Sequence, residues 1–467
     1  MGSRYERLTG ADRMNLLAER PGTPWHVGLV GVLDGRPLTA SDGTLDVAAV
    51  TRFLGAAVPR APRLHQVVRP TRLGQGPPLW LDAGPVDVAA HLTVSPVGGA
   101  GDGPAFLDAC ARVLRPPMDR SRPLWDLTLL PGLAGGDVGV VLRLHHAVAD
   151  GEAAVAVLGA LFGSGEASAA TRPPPVPAPA PSGPDLARDA WRTRATAVRH
   201  ALRRWPDSSR LMATTRAVTA QARGVLRPAE PVPATSLLGP LGPGRRLAQV
   251  RVPLAPLHDV ARAHGASIND AVLAAVASGL HAVLAARGED PDVVLRASVP
   301  VSLRGGAGAD GAAGNRVGVL LVPLPLGEPD TVRRMERIAA ATAAEKVRAR
   351  DAGPLVVLTS TLGARLALPL MRRQRLVSVF VTNVRGPEVP LSLAGARLLE
   401  AYPAAPIAGN VTLGVGVLSY AGALGLGVVA DAASWPDLRV FVVGLTAALE
   451  DLVDGAADGS QHPAGPG

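Results

Sequence analysis

The sequence predicts an α/β fold made of two domains joined by a crossover linker, and three observations carry this reading. Helical spacing alternates with short apolar runs in both halves of the chain. A stretch rich in Pro, Ala and Arg, residues 164–244, separates the halves. At 467 residues, the chain is longer than one hydrophobic core usually serves.

The first domain is expected over 1–163. Residues 105–114 read as a helix, with Phe106, Cys110 and Val113 at helical spacing. Residues 138–144 form a short apolar run that suits a buried strand. A helix is expected over 151–162, opened by Asp150 at its amino end. In the linker, the Pro-rich 171–184 cannot be regular, whereas 188–227 places Trp191, Val198, Leu202 and Trp205 on one helical face among arginines.

The second domain is expected over 245–456, followed by a mobile tail, 457–467. Helices over 257–264 and 268–284 flank Gly265, and a strand over 293–303 ends in Ser302-Leu303-Arg304. An apolar strand at 317–325, a charged helix at 331–348, strands at 377–383 and 411–420 and a closing helix at 438–452 complete it. Residues 401–430 contain no charge and could mislead a hydropathy scan. Pro403, Pro406 and six glycines in that stretch suit buried strands better than a spanning helix.

Composition narrows the function. Hydrophobic residues make up 47% of the chain, so it is globular, and only 3% are aromatic, so Ala, Val and Leu must fill the core. The formal charge of +8 is mild for this length and could favour an anionic membrane or a phosphate-bearing substrate. No zinc-ligand spacing, dinucleotide fingerprint or aromatic-interleaved basic stripe is present, so neither a metal, a redox cofactor nor a nucleic-acid partner is expected. Cys110 is the only cysteine, and residues 1–10 are polar, which suits a cytoplasmic protein.

The chemistry concentrates in His145-His146-Ala147-Val148-Ala149-Asp150-Gly151. The run before it is a buried strand, so the two histidines must face opposite ways and only one can face a given cavity. A neutral imidazole there is suited to taking a proton near pH 7. Asp150 could hold the loop through an arginine or backbone N–H groups, across a turn that Gly151 would permit. A single such histidine is more often a packed core residue.

The His-His-x-x-x-Asp-Gly pattern resembles the active-site motif of the chloramphenicol acetyltransferase-like superfamily. Further blocks narrow the resemblance to the bacterial wax ester synthase/diacylglycerol acyltransferase family. They are Leu8-Thr9-Gly10-Ala11-Asp12 with Trp25-His26-Val27-Gly28, Pro117 through the Pro123-Leu124-Trp125 triplet, and Ser267-Ile268-Asn269-Asp270. Val299 through Arg304 with Gly314-Asn315, Asn383-Val384-Arg385-Gly386-Pro387 and Leu418-Ser419-Tyr420-Ala421-Gly422 follow in order. One departure is Trp25, where the family usually has Met.

The resemblance implies two chloramphenicol acetyltransferase-like domains, mixed sheets flanked by helices, with a tunnel between them that acyl-CoA and the acceptor enter from opposite sides. His146 would be the general base for an acceptor hydroxyl, with no acyl-enzyme. His145 would be a support and Asp150 an architectural residue paired with Arg63 or Arg304. Asn269 and Ser419 are candidate oxyanion donors, although Asn269 could instead cap its helix and Ser419 could lie in a turn. Trp125 is expected to anchor the core. The implied substrates are acyl-CoA and a lipid alcohol, either diacylglycerol or a long-chain alcohol. A smaller hydroxyl or amine with a carrier-bound donor is the rival enzyme reading, and a non-catalytic lipid-binding protein is the rival from another class. The Arg- and Trp-bearing linker and the Arg372-Arg373-Gln374-Arg375 cluster could contact a membrane or lipid droplet, or be solvated faces.

Overall fold

In the computed structural model of the chain, residues 5–20, 22–149, 151–163, 180–203, 231–302, 317–352, 369 and 371–459 are described. Asp150, Arg304, Gly314, Asn315, Trp205 and the last residues of the expected tail lie outside the described residues.

The first half opens with β1 (Glu6–Arg7), α1 (Gly10–Ala18) and β2 (His26–Leu33). It continues with α2 (Val47–Ala57), β3 (Gln66–Arg69), β4 (Leu79–Asp82), β5 (Leu92–Val94) and α3 (Gly103–Leu114). Strands β6 (Trp125–Leu130) and β7 (Val138–His145) lead into α4 (Gly151–Leu161), and the linker contains α5 (Gly183–Arg203). The second half holds β8 (Arg245–Pro253), α6 (Leu254–Ala263), α7 (Ile268–Ala286), β9 (Val294–Ser302), β10 (Val317–Pro325) and α8 (Thr331–Ala352). It ends with β11 (Val379–Arg385), β12 (Ser392–Leu393), β13 (Ala396–Ala404), β14 (Leu413–Tyr420), β15 (Ala423–Asp431) and α9 (Leu438–Gly459). The final helix therefore runs three residues into the stretch expected as tail.

Two six-stranded sheets organise the chain, in the orders β12-β13-β2-β7-β6-β5 and β10-β9-β11-β14-β15-β8. Both are mixed: β5 runs parallel to β6, and β11 parallel to β9 and β14, among otherwise antiparallel pairs. The sheets do not follow the contiguous division expected from sequence. Strands β12 and β13 leave the second half and complete the first sheet, β13 pairing with β2 from Leu398↔Leu33 to Ala404↔Gly28. Local periodicity specifies a strand but not the sheet it joins.

This crossing explains Gly416, Gly425 and Gly427, three of the glycines of 401–430. The backbone of β13 lies against β14 and β15 so closely that a Cβ on Gly425 would fall 2.3 Å from the Ala401 carbonyl oxygen. Leu418 and Tyr420 of β14 are buried in the core cluster of the first half. The Tyr420 hydroxyl donates to the Leu398 carbonyl and accepts from the Leu391 N–H, at 2.9 and 2.7 Å. The second sheet has its own core, built around α7, α8 and α9. Among the described residues α7 is the one helix long and apolar enough to cross a membrane, and its residues from Asp270 to Leu284 are mostly buried within the protein.

Candidate active site

The histidine segment sits where β7, a central strand with every residue buried, runs out. In the β2–β7 ladder His26 pairs with His145, and the next step is closed by the His146 N–H donating to the Trp25 carbonyl at 3.0 Å. Period-two alternation then assigns the faces. His26 and His145 point into the protein and are 5% and 0% exposed. Trp25 and His146 point the other way and are half-buried. Burial holds the His26 imidazole neutral, with its pKa down at about 3 and Arg143 adding to the effect.

His145 is enclosed within the protein. Its Nδ1 accepts the Ala147 N–H at 3.0 Å, which fixes the turn after the strand. The ring proton of the neutral form must then sit on Nε2, which faces the Glu19 carboxylate at 3.8 Å. Glu19 terminates α1 and receives two bonds from Arg120, at 2.7 and 3.2 Å. Burial pushes the Glu19 carboxyl upward, but His145 beside it and the bonds from Arg120 outweigh this and hold the pKa at about 2. Glu19 was not legible in the sequence. Its signal is a pairing with Arg120, inside the block that ends in Trp125.

His146 is clamped through its backbone, its carbonyl accepting from Asn15 Nδ2 at 2.9 Å. Its ring lies over the Trp25 indole with centroids 6.0 Å apart and planes inclined by 24°. Ala147, Val148 and Ala149 are buried beside Leu418 and Tyr420 in one cluster. Gly151 opens α4, and it is required by packing rather than by a turn: it is not among the positive-φ glycines, but a Cβ there would fall 2.8 Å from Cγ2 of Val384. Val384 belongs to β11, so the turn carrying His146 abuts the second sheet.

Ser419 lies in β14 rather than in a turn, paired with Arg385, one residue beyond the Val384–Leu418 pair. Its Oγ accepts the Gly386 N–H at 3.2 Å, so its own hydroxyl proton is available to another acceptor. The structure thus brings Gly151, Val384 and Leu418 to one seam between the sheets, with Ser419 the next residue along β14. Asn269 is placed on the first turn of α7, with Oδ1 buried. It does not cap that helix, because Ser267 does, in a capping box with Asp270.

Arg63 pairs with Glu6 and Gln66 and stacks over Trp80 at 4.7 Å. Its expected alternative, Arg304, and their common partner Asp150 lie outside the described residues. Trp125 is a buried anchor whose Nε1–H donates to the Leu64 carbonyl at 2.9 Å, with its ring stacked on His91 at 4.5 Å. Among the described residues no cluster of three or more His, Cys, Asp or Glu could hold a metal ion.

Comparison with known proteins agrees with this architecture. Residues 8–272 match the family described as the wax ester synthase/diacylglycerol acyltransferase catalytic domain, and 313–453 match the WS/DGAT C-terminal domain. A Mycobacterium tuberculosis (strain ATCC 25618 / H37Rv) protein named "Probable diacyglycerol O-acyltransferase tgs1" is 31% identical over 422 residues, covering 84% of this chain and 86% of its own length. The solved wax ester synthase/diacylglycerol acyltransferase from Marinobacter aquaeolei VT8 superposes with a TM-score of 0.68 at 21% identity, over 97% of this chain and 100% of that one. The first condensation domain of the CDA synthetase gives 0.61 at 21% identity, over 97% of each chain. At these identities the two solved structures show a shared fold, the two-domain condensation type.

Proposed function

This chain belongs to the wax ester synthase/diacylglycerol acyltransferase family and is an acyltransferase enzyme, and on that footing we propose that it transfers a fatty acyl group from acyl-CoA to a lipid alcohol. The acceptor is diacylglycerol, a long-chain alcohol, or both. The observation that carries the proposal is the division of labour at the end of β7: His145 is sealed in the core, and His146 is half-exposed at the seam between the sheets.

His146 is the general base. Its Nδ1 is turned into the protein, so Nε2 meets the acceptor. As Nε2 takes the hydroxyl proton, the oxygen attacks the thioester carbonyl and a tetrahedral oxyanion forms. The C–S bond then breaks and the imidazolium returns the proton to the CoA thiolate, giving ester and free thiol with no acyl-enzyme. The Ser419 hydroxyl and the Asn269 side chain are the proposed donors to the oxyanion. Asp150 and Gly151 shape the turn. Acyl-CoA is the co-substrate, and no further cofactor takes part.

The test is an acceptor panel with labelled palmitoyl-CoA, comprising diacylglycerol, hexadecanol, small alcohols and amines. Labelled triacylglycerol or wax ester is the expected product. Labelled amides or short esters alone would transfer the proposal to the rival reading, a smaller hydroxyl or amine as acceptor. No product from any acceptor would sink it.

We further propose that the enzyme works at the cytoplasmic face of a membrane or on lipid droplets, touching the anionic surface through α5. Arg7 pins this helix by pairing with Asp189 at 2.7 Å, which turns Leu186 and Ala190 inward. Trp191 and Val198, seven residues apart on one face, are left 68% and 56% exposed, with Arg192, Arg194 and Arg199 exposed beside them. Replacing both apolar residues by Ser should reduce flotation with anionic liposomes several-fold and leave turnover of a short soluble acceptor intact. Unchanged flotation removes α5 from the membrane reading.

A further inference from the structure

We propose that Trp25 and Asn15 form a bracket that fixes the ring of His146 and favours its protonated form, which makes Trp25 a positioning residue for the transfer. The inference rests on the reading of His146 as the base.

Three hydrogen bonds close the bracket. The Trp25 indole N–H donates to Asn15 Oδ1 at 3.1 Å, Asn15 Nδ2 donates to the His146 carbonyl at 2.9 Å, and the His146 N–H donates to the Trp25 carbonyl at 3.0 Å. One asparagine therefore holds both the backbone that carries the base and the ring that lies over it. Asn15 is set by α1, whose start is fixed by a capping box between Thr9 and Asp12. A base that becomes a cation as it reacts gains from a π face, and a centroid separation of 6.0 Å is at the outer reach of such a contact. Trp25 and His146 lie one step beyond the last β2–β7 pair, His26↔His145, and are joined there by that backbone bond.

Other charges surround the turn and remain in place when Trp25 is changed. From α1 come Asp12 and Glu19, the latter held by Arg120. His26 and His145 lie on the opposite face of the sheet. Glu152 is on α4, Arg385 of β11 is paired with Glu388, and Asp150 belongs to the turn itself. A change in the titration of His146 on replacing Trp25 therefore reports the indole.

The test combines kinetics with histidine-selective ¹³C NMR titration of the full chain, with the His146 signal identified by its loss in His146→Ala. In Trp25→Leu the His146 midpoint should fall by about half a pH unit. The acid limb of the rate profile should move with it, and kcat should drop about ten-fold with little change in KM. Asn15→Ala should give the same pattern, and Trp25→Phe, which keeps the π face but not the bond to Asn15, should restore the midpoint and only part of kcat. Trp25→Phe also keeps the test open if the Leu variant does not fold. An unmoved midpoint overturns the proposal, and so does a rise, which would mean that Trp25 acts by excluding water from the ring. If His146→Ala itself turns over normally, the base assignment fails. If it is inactive while the midpoint stays put, only the bracket fails.

Discussion

His146→Ala should lower acyl transfer by about 10²- to 10⁴-fold, the range that a general base supplies, while the protein stays folded. The side chain is half-buried and makes no core layer, and its backbone bonds to Trp25 and Asn15 survive the substitution. His145→Ala should behave differently. It removes a fully buried ring and frees the Ala147 N–H, so stability and activity should fall together. The two variants are compared by esterification of diacylglycerol with labelled palmitoyl-CoA and by thermal unfolding followed by circular dichroism. Activity of His146→Ala within a few-fold of the parent would remove it from the reaction.

The largest stability effect is expected at the joint between the sheets. In Gly427→Ala the new Cβ would fall 2.0 Å from the Pro403 carbonyl oxygen and 3.0 Å from its carbon. These are backbone atoms of β13, which is paired along β2 and has no side-chain rotamer to give. Residue 427 is in the second sheet and Pro403 in the first, so one methyl group pries the sheets apart. A loss of about 3 kcal/mol is expected, at the upper end for overpacking. Activity should go with it, because Val384 meets Gly151, at the end of the histidine turn, across this seam. Gly159→Ala is the matched control. It lies within α4 with nothing within 4 Å of the added carbon, so it should stabilise by up to about 1 kcal/mol. Equal thermal midpoints for the two variants would mean that the β13 contact carries no weight.

Elements with strong local patterns were legible in the sequence. The apolar run before His145, the helix holding Phe106 and Cys110 and the strand around Val415 are found where periodicity put them. What was not legible depends on long-range pairing. Nothing in residues 396–404 says that they join β2, since a strand's face pattern is the same in either sheet. Gly151 reads as a turn residue until Val384 is seen beside it. Asn269 and Ser267 are equally good caps on paper, and the capping box with Asp270 decides for Ser267. Glu19 and Asn15 lie over 120 residues from the histidines, and only the fold reveals that one faces His145 and the other holds His146. Trp25 was visible as a departure from the family pattern, but its position over His146 was not.

Direct transfer through His146 is tested most sharply by rapid mixing of the enzyme with labelled palmitoyl-CoA, with and without diacylglycerol, following free CoA thiol and label bound to protein. Transfer without an acyl-enzyme predicts thiol release only when acceptor is present, no label on the chain, and loss of that release in His146→Ala. A burst of one thiol per enzyme without acceptor, with label retained on the protein, would contradict it.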